Sequence, residues 1–185
     1  MRRDIVNKYP ASAARNDEAV PHWLIVRPAA PGDADALVEL GRAVAAEDEL
    51  WLTYDRTRGD ERRNVKSVRR DPNVAVFVAE TADGVVGRLS IARDHGRYSH
   101  HVAELGLMVA AGARRRGIGT ALMGEAEKWA RGAGITKLEL TVFPHNEPAI
   151  ALYRKLGFRE EGVLRRRYRI DGRYVDAMLM ARDLD

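Results

Sequence analysis

The sequence predicts a mixed α/β protein in which helices pack on the faces of one sheet. Three observations lead to this fold class: apolar runs of strand length, longer segments whose apolar residues recur at spacings of three and four, and glycine-containing turns between them. In chain order the predicted elements are β-α-α-β-β-β-α-β-α-β-β. A length of 185 residues suits one compact domain with a single core.

The N-terminal part of the chain predicts an extension, a strand and two helices. Residues 1–22 show no sustained period and are expected to form an irregular extension, which leaves residues 23–185 as the folded domain. A first strand at 23–27 is stopped by prolines. After Asp33, one helical face carries the apolar residues Ala36, Leu37, Leu40 and Val44. A second, more polar helix is predicted over 60–70.

The remaining elements alternate between strands and helices. Three strands are predicted over residues 74–79, 85–92 and 101–109, with the turn Asp83-Gly84 between the first two. The third of these strands is nearly all apolar, as buried central strands are. A helix at 120–131, a strand at 137–143, a helix at 146–156 and two strands at 159–167 and 173–181 complete the chain.

Composition excludes several classes of protein. The 31 Lys and Arg against 27 Asp and Glu give a net charge of only +4, so nucleic-acid binding is not expected as the main function. No segment approaches the ~18 consecutive apolar residues of a membrane span, and no apolar run follows Arg2-Arg3 as in a secretory signal. A cytoplasmic protein without a membrane partner is therefore expected. The absence of cysteine excludes disulfides, thiolate metal sites and a cysteine nucleophile.

A glycine-containing loop follows the third central strand and carries the strongest functional signal. Gly117 and Gly119 fall where a helix begins, next to the arginines 114–116. The unpaired N–H groups of a helix start, a backbone without side chains and three cations predict a site for phosphate or pyrophosphate. The spacing is not that of a P-loop, because no Lys follows Gly119, nor that of the dinucleotide fingerprint, because position 122 is Leu.

Two segments together resemble the hallmarks of the GNAT superfamily of acyl-CoA-dependent N-acyltransferases. The first is Arg114-x-x-Gly117-x-Gly119 after the strand 104–109, and the second is the segment 146–158. They occur in the expected order, joined by a helix and a strand, and the resemblance extends over residues 23–182. It implies a mixed, mostly antiparallel central sheet flanked by helices, with acetyl-CoA as co-substrate and no metal.

The resemblance also implies which residues hold the cofactor and which catalyse. Strand backbone would pair with the pantetheine arm, loop N–H groups would bind the pyrophosphate, and Asn146 would contact pantetheine, although a plain helix N-cap explains Asn146 equally well. The implied cofactor-binding residues are Leu107, Met108, Val109, Arg114, Arg115, Arg116, Gly117, Ile118, Gly119, Thr120 and Asn146. Tyr153 matches the position that protonates the departing thiolate, its alternative being a half-buried packing residue.

The resemblance implies that the base is Glu104, because several small-amine members of the superfamily place a catalytic glutamate at that point. Without a cysteine or a Gly-x-Ser-x-Gly elbow, direct attack by an amine on the acyl-CoA is favoured, and that amine must lose a proton. Strand alternation puts Glu104, Gly106 and Met108 on one face, and burial there would raise the pKa of the carboxyl. The alternatives are a carboxylate at the exposed start of the strand, paired with Arg88 or a histidine, and Glu139 acting through a water.

The expected function is therefore acetyl transfer from acetyl-CoA to a primary amine of a small molecule or amino acid analogue. A protein N-terminus or ribosomal protein is the alternative acceptor, and a non-catalytic acyl-CoA-binding module is the alternative class. A homodimer stays open. Two further possibilities also stay open. The acids 47–49 beside Trp51 and Tyr54 could bind the acceptor amine, and Arg165-Arg166-Arg167 could contact an acidic substrate. The histidines at 95, 100 and 101 favour a solvated hairpin over a metal site.

Overall fold

A computed structural model describes residues 21–47 and 56–185 of the chain. Its elements are β1 Ile25–Pro28, α1 Ala34–Ala45, α2 Arg58–Val68, β2 Val74–Thr81, β3 Gly84–Arg93, β4 Val102–Val109, α3 Ile118–Gly132, β5 Lys137–Val142, α4 Glu147–Lys155, β6 Arg159–Ile170 and β7 Arg173–Asp183. This order confirms the predicted succession of strands and helices. The expected extension at 1–22 lies almost entirely outside the described residues and stays a prediction.

All seven described strands form one sheet in the order β1-β2-β3-β4-β5-β7-β6. Only β4 and β5 run parallel, so the expectation of a mixed, mostly antiparallel sheet is confirmed. The parallel pair is short: Val102 to Glu104 lie opposite Lys137 to Glu139, and the pairing ends there. Beyond Glu104, β4 continues to pair with β3 through Val109 while β5 turns to β7. The sheet is therefore split between its two central strands.

Helices cover the two faces of the sheet unequally. The main core lies under α3, where Leu89, Ile91 and Leu105 pack against Ile118 and Leu122. On the opposite face, α1 and α2 cover only the half of the sheet that contains β1 to β4. Met108 packs there against Leu40 and Val44. Leu105 and Met108 thus face opposite sides, which confirms the alternation predicted for β4.

A buried carboxylate anchors α2 to the sheet. Glu61 is fully buried, and its carboxylate lies 3.2 Å from the Arg56 guanidinium and 3.9 Å from that of Arg88 on β3. A charge so completely removed from water requires partners of this kind. Arg88 is therefore directed toward α2, so the alternative in which it pairs with Glu104 is wrong.

The helix boundaries differ slightly from those predicted at the functional loop. Helix α3 begins at Ile118, two residues earlier than expected, because Gly117 adopts a left-handed φ of 82° and turns the chain directly into the helix. The same conformation at Gly134, with φ 73°, follows its end. Within 21–47 and 56–185, no helix has the length and apolar character to cross a membrane.

Candidate active site

The split between β4 and β5 opens into a cleft of about 1190 Å³. Its lining comes from β4, the loop between β4 and α3, the β5–α4 connection, α4 and the end of β6. A volume of this size accommodates a large ligand. On the side of the split, the backbone of residues 105–109 has no neighbouring strand among the described residues, so the N–H and C=O groups that point to this side, other than the Val109 carbonyl, are available to an extended ligand.

The loop at one end of the cleft is shaped by backbone conformation. Arg115 and Gly117 both have left-handed φ angles, 62° and 82°, and α3 starts immediately afterwards. Gly119 lies in the first turn of α3, where a Cβ atom would come within 2.9 Å of the Leu152 side chain and 3.6 Å of that of Leu107. Glycine therefore keeps the passage between α3 and α4 open, next to unpaired N–H groups that suit an anion. These features fit the pyrophosphate and pantetheine arm of acyl-CoA.

The three arginines of this loop have three different environments. Arg114 donates from both terminal nitrogens to the Glu47 carboxylate at 2.7 Å, and from Nε to the Val109 carbonyl at 3.0 Å. Arg116 stacks over the ring of Trp23, 4.6 Å from its centroid, and lies outside the cleft lining. The guanidinium groups of Arg114 and Arg116 therefore already have partners within the protein, and their contact with the cofactor stays a prediction. Of these three arginines, only Arg115 lines the cleft without an ion pair to another described residue.

Asn146 is the N-cap of helix α4, which was the alternative interpretation of this residue. Its side-chain oxygen accepts a hydrogen bond of 3.2 Å from the Ala149 N–H and so caps α4. Asn146 also lines the cleft, and its contact with pantetheine stays a prediction.

Tyr153 projects from α4 into the same cleft. The residue is 7% exposed, and its ring packs against Phe158 with centroids 5.9 Å apart. Burial raises the pKa of the Tyr153 phenol to about 12, because the low-dielectric surroundings disfavour the phenolate. The phenol is therefore protonated at neutral pH. Its hydroxyl makes no hydrogen bond to another residue of the described ranges, which leaves it available as a donor.

Glu104 lines the cleft at the point where the split begins. The side chain is exposed, so the expectation of a buried carboxylate is wrong. The reason is that α1 and α2 cover this face only as far as Met108 and leave the start of β4 open. Glu104 forms no ion pair with any residue in 21–47 or 56–185. Its carboxylate is therefore free to meet a cationic amine.

Glu139 is the cross-strand neighbour of Glu104 but has a different environment. The Lys137 ammonium lies 3.1 Å from the Glu139 carboxylate and 2.9 Å from that of Glu161. Glu161 and then Glu139 raise the pKa of Lys137, so the ammonium stays charged. Glu139 is thereby partly neutralised and does not line the cleft. This geometry favours Glu104 over Glu139 as the group that receives a proton.

Sequence reasoning missed an aromatic wall at this end of the cleft. Phe143 stacks on His145 with centroids 5.6 Å apart, and Tyr168 meets Phe143 edge-on at 5.4 Å. The Tyr168 hydroxyl lies 3.2 Å from Oγ1 of Thr141, a residue on the same face of β5 as Glu139. The alternation of β5 could have placed Thr141 on this face. No local signal connects Tyr168 to Thr141, because they lie 27 residues apart.

Two other sequence-based hypotheses have different outcomes. Asp48, Glu49, Trp51 and Tyr54 lie outside the described residues, whereas Glu47 is engaged by Arg114. His100 lies near Arg93, with 3.4 Å between Nδ1 and a guanidinium nitrogen, in the loop between β3 and β4. In the described part of the chain, no group of three or more His, Asp or Glu residues is arranged to hold a metal ion.

Comparison with known proteins agrees with this geometry. Residues 42–158 match the family model described as "Acetyltransferase (GNAT) family". The chain is 32% identical over 164 residues to the L-amino acid N-acetyltransferase AaaT of Escherichia coli (strain K12), which covers 86% of this chain and 97% of that protein.

Solved structures show the same fold. An acetyltransferase of the GNAT family from Streptococcus pneumoniae has a TM-score of 0.79 at 27% identity, with 88% of this chain and 99% of that chain covered. The ribosomal-protein-alanine N-acetyltransferase from Brucella melitensis has a TM-score of 0.78 at 30% identity, with 86% and 99% covered.

Proposed function

The chain belongs to the GNAT family of acetyltransferases, and from that premise we propose that it acetylates the primary amine of a small molecule or amino acid analogue. As a member of this family it is an acyl-CoA-dependent N-acyltransferase whose co-substrate is acetyl-CoA. One observation carries the proposal: an exposed carboxylate, Glu104, and a buried phenol, Tyr153, line one cleft at the split of the sheet. Residues 23–185 are proposed to constitute the acetyltransferase domain.

In this proposal the split strand and the loop hold the co-substrate. The free backbone edge of residues 107–109 pairs with the pantetheine arm, and N–H groups between Arg114 and Thr120 bind the pyrophosphate. Placing both substrates in one cleft allows direct attack without a covalent enzyme intermediate. A backbone N–H near Val109 is the proposed donor to the carbonyl oxygen, where negative charge develops.

Glu104 is the proposed base. Primary amines have pKa values of ~8–10 and are mostly protonated at neutral pH, so a proton must be removed before attack. The amine nitrogen forms a bond to the acetyl carbonyl carbon, and its proton passes to Glu104 directly or through a water. Because Glu104 has no competing cation among the described residues, its carboxylate can also attract the incoming ammonium.

Tyr153 is the proposed acid. The carbon–sulfur bond breaks with its electron pair on sulfur, and the phenol donates a hydrogen bond and then a proton to that thiolate. A pKa of about 12 keeps the Tyr153 donor protonated at every physiological pH. Transfer to a thiolate, whose thiol has an ordinary pKa of ~8.5, is uphill, so the hydrogen bond to the developing charge supplies much of the benefit.

The alternative acceptor is the N-terminus of a protein. The similarity to a ribosomal-protein-alanine N-acetyltransferase supports it, whereas the similarity to an L-amino acid N-acetyltransferase over nearly that protein's full length supports the small acceptor. A cytoplasmic location and a homodimer stay predictions.

The test is the release of free CoA thiol from acetyl-CoA by the purified protein with a panel of amines, amino acids and N-terminal peptides. Acetylation of small amines, confirmed by the mass of the product, is the expected result. Acetylation of peptides alone would replace the small acceptor by a protein N-terminus. Acetyl-CoA turnover by none of the panel would contradict the proposed acceptor classes.

A further inference from the structure

The gap that opens between β4 and β5 has one wall without a side chain. Pairing of the two strands ends at Glu104 and Glu139. Two residues further along, Gly106 and Thr141 stand on opposite sides of the gap, and both line the cleft. Apart from its chain neighbours, a Cβ atom at Gly106 would meet only Oγ of Ser90 among the described residues, at 3.0 Å. The space over Gly106 is therefore open, as at strand glycines where a ligand approaches the backbone closely.

Glu104, Gly106 and Thr141 share one face of the sheet. On β4, Leu105 belongs to the main core under α3, so Glu104 and Gly106 point to the opposite face. On β5, Leu140 belongs to the same core, so Thr141 also points away from α3. A carboxylate, a bare stretch of backbone and a hydroxyl thus border one space, with the carboxylate at the narrow end where strand pairing resumes.

The Thr141 hydroxyl is held in place from the far side by the aromatic wall. Its Oγ1 lies 3.2 Å from the Tyr168 hydroxyl, and the Tyr168 ring is fixed edge-on against Phe143. A threonine hydroxyl has one hydrogen and two lone pairs, so Oγ1 keeps a lone pair for a further donor whichever of the two hydroxyls donates to the other. Thr141 therefore offers an oriented hydrogen-bond acceptor to a ligand in the gap.

We propose that Thr141, oriented by Tyr168, is a positioning residue that accepts one N–H of the acceptor amine over Gly106, while Glu104 receives the other hydrogen as a proton. This inference rests on the acetyl transfer proposed above and makes Thr141 the determinant that selects a primary amine. A nitrogen hydrogen-bonded to both groups requires their oxygens to lie ~5–6 Å apart. Diagonal neighbours on two strands have Cα atoms ~7–8 Å apart and side chains that are closer.

The role of Thr141 follows from the hydrogens of the reaction. A neutral primary amine carries two N–H groups and one lone pair. As the nitrogen bonds to the acetyl carbon, one hydrogen passes to Glu104 and the other stays on the nitrogen of the amide product. A hydrogen bond from the N–H that stays to Thr141 directs the lone pair at the carbonyl carbon. A secondary amine has no second N–H, so Thr141 cannot orient it in this way.

The test compares L-leucine and benzylamine, each with its N-methyl derivative, by kcat/KM for CoA release. We expect the wild-type protein to prefer the primary amine at least tenfold. Thr141→Val keeps the shape of the side chain without its hydroxyl and should slow the primary amine about tenfold, with less than a twofold change for the N-methyl derivative. Thr141→Ser should recover most of the preference, and the affinity for acetyl-CoA should change less than twofold in both variants.

Thr81→Val is the matched control, since it removes a threonine hydroxyl that accepts a hydrogen bond from Asp83 outside the cleft. It should leave the ratio of primary to secondary amine unchanged. Equal slowing of both amines by Thr141→Val, slowing of neither, or failure of Thr141→Ser to recover the preference would overturn the inference while acetyl transfer stood. Turnover of no amine by the wild-type protein would overturn the proposed function itself.

A double-mutant cycle with the primary amine alone tests the part played by Tyr168. We expect Tyr168→Phe to lower kcat/KM about threefold in the wild-type background and to have no further effect in the Thr141→Val background, because Tyr168 acts through the Thr141 hydroxyl. Tyr174→Phe removes a hydroxyl of the same hairpin that does not line the cleft and should change nothing. Losses that multiply in the double variant would overturn the coupling of the two hydroxyls.

Discussion

The two ends of the cleft are built in different ways. The loop end comes from one continuous segment, residues 110–120, and its proposed anion site consists of backbone N–H groups, two left-handed residues and a glycine. The other end, where Glu104 and the aromatic wall lie and where the acceptor amine is proposed to bind, is called the acceptor end; it assembles side chains from three separated segments, represented by Glu104, Phe143 and Tyr168. A backbone site depends on local conformation, whereas a side-chain site depends on strand register. We therefore expect substitutions at the acceptor end to alter turnover and specificity, and those at the loop end to alter co-substrate affinity.

Substitution of Tyr153, which lines the same cleft, should give the largest effect. We expect Tyr153→Phe to lower kcat about 10²-fold or more, within the range of general acids, because the departing sulfur loses its donor. Affinity for acetyl-CoA, measured by calorimetry, should change less than twofold. The control is Tyr98→Phe, which removes a phenol that is 87% exposed. Unchanged turnover in the Tyr153 variant would reduce this residue to packing.

Glu104→Gln tests the acceptor end and should have the next largest effect. We expect kcat/KM to fall about 10²-fold at neutral pH, because no carboxylate receives the proton of the amine. The deficit should shrink as the pH rises and the amine loses its proton in solution. The matched variant is Glu139→Gln, whose carboxylate is tied to Lys137 and should matter less. A loss of equal size at every pH would indicate that Glu104 positions the amine instead of accepting its proton. A loss only in the Glu139 variant would identify Glu139 as the base.

Gly119→Val tests the loop end. A side chain there meets Leu152 at 2.9 Å and blocks the approach of a ligand to the backbone. We expect CoA affinity to fall at least tenfold, or ~1.4 kcal/mol, in calorimetric titrations. Gly124→Val in the same helix is the control, because a Cβ at Gly124 meets nothing within 4 Å. Unchanged CoA affinity in a folded Gly119 variant would place the cofactor elsewhere.

Glu47→Gln should give the smallest effect. The Glu47–Arg114 pair joins the end of α1 to the loop and is about one-third exposed, so its contribution is ~1 kcal/mol or less. We expect CoA to bind two- to fivefold more weakly, with kcat nearly unchanged. Glu39→Gln breaks a more exposed ion pair of α1, that with Arg58, and should change neither quantity. A large fall in kcat with unchanged affinity would contradict the division between the two ends.

The sequence alone determined the order of elements and the location of the glycine-containing loop before α3. Strand and helix periods are local. The backbone freedom that Gly117 and Gly119 give to a helix start also depends only on these residues and their immediate neighbours. Asn146 as a helix cap is equally local. Such features depend on residues within a few positions of one another, so a pattern in the sequence is sufficient to predict them.

Tertiary structure alone decided the environment of each charged or aromatic group in the cleft. Glu104 was expected to be buried and is exposed, because the extent to which α1 covers the sheet depends on packing between distant segments. The partners of Arg114 and Arg116 are residues 67 and 93 positions away, Glu47 and Trp23, and no spacing rule connects them. The acceptor end requires the register of β5, β7 and β6 to bring Tyr168 to Thr141. Long-range pairing of this kind is set by the cooperative packing of the whole sheet. For this reason the loop could be predicted from the sequence, whereas the aromatic wall could not.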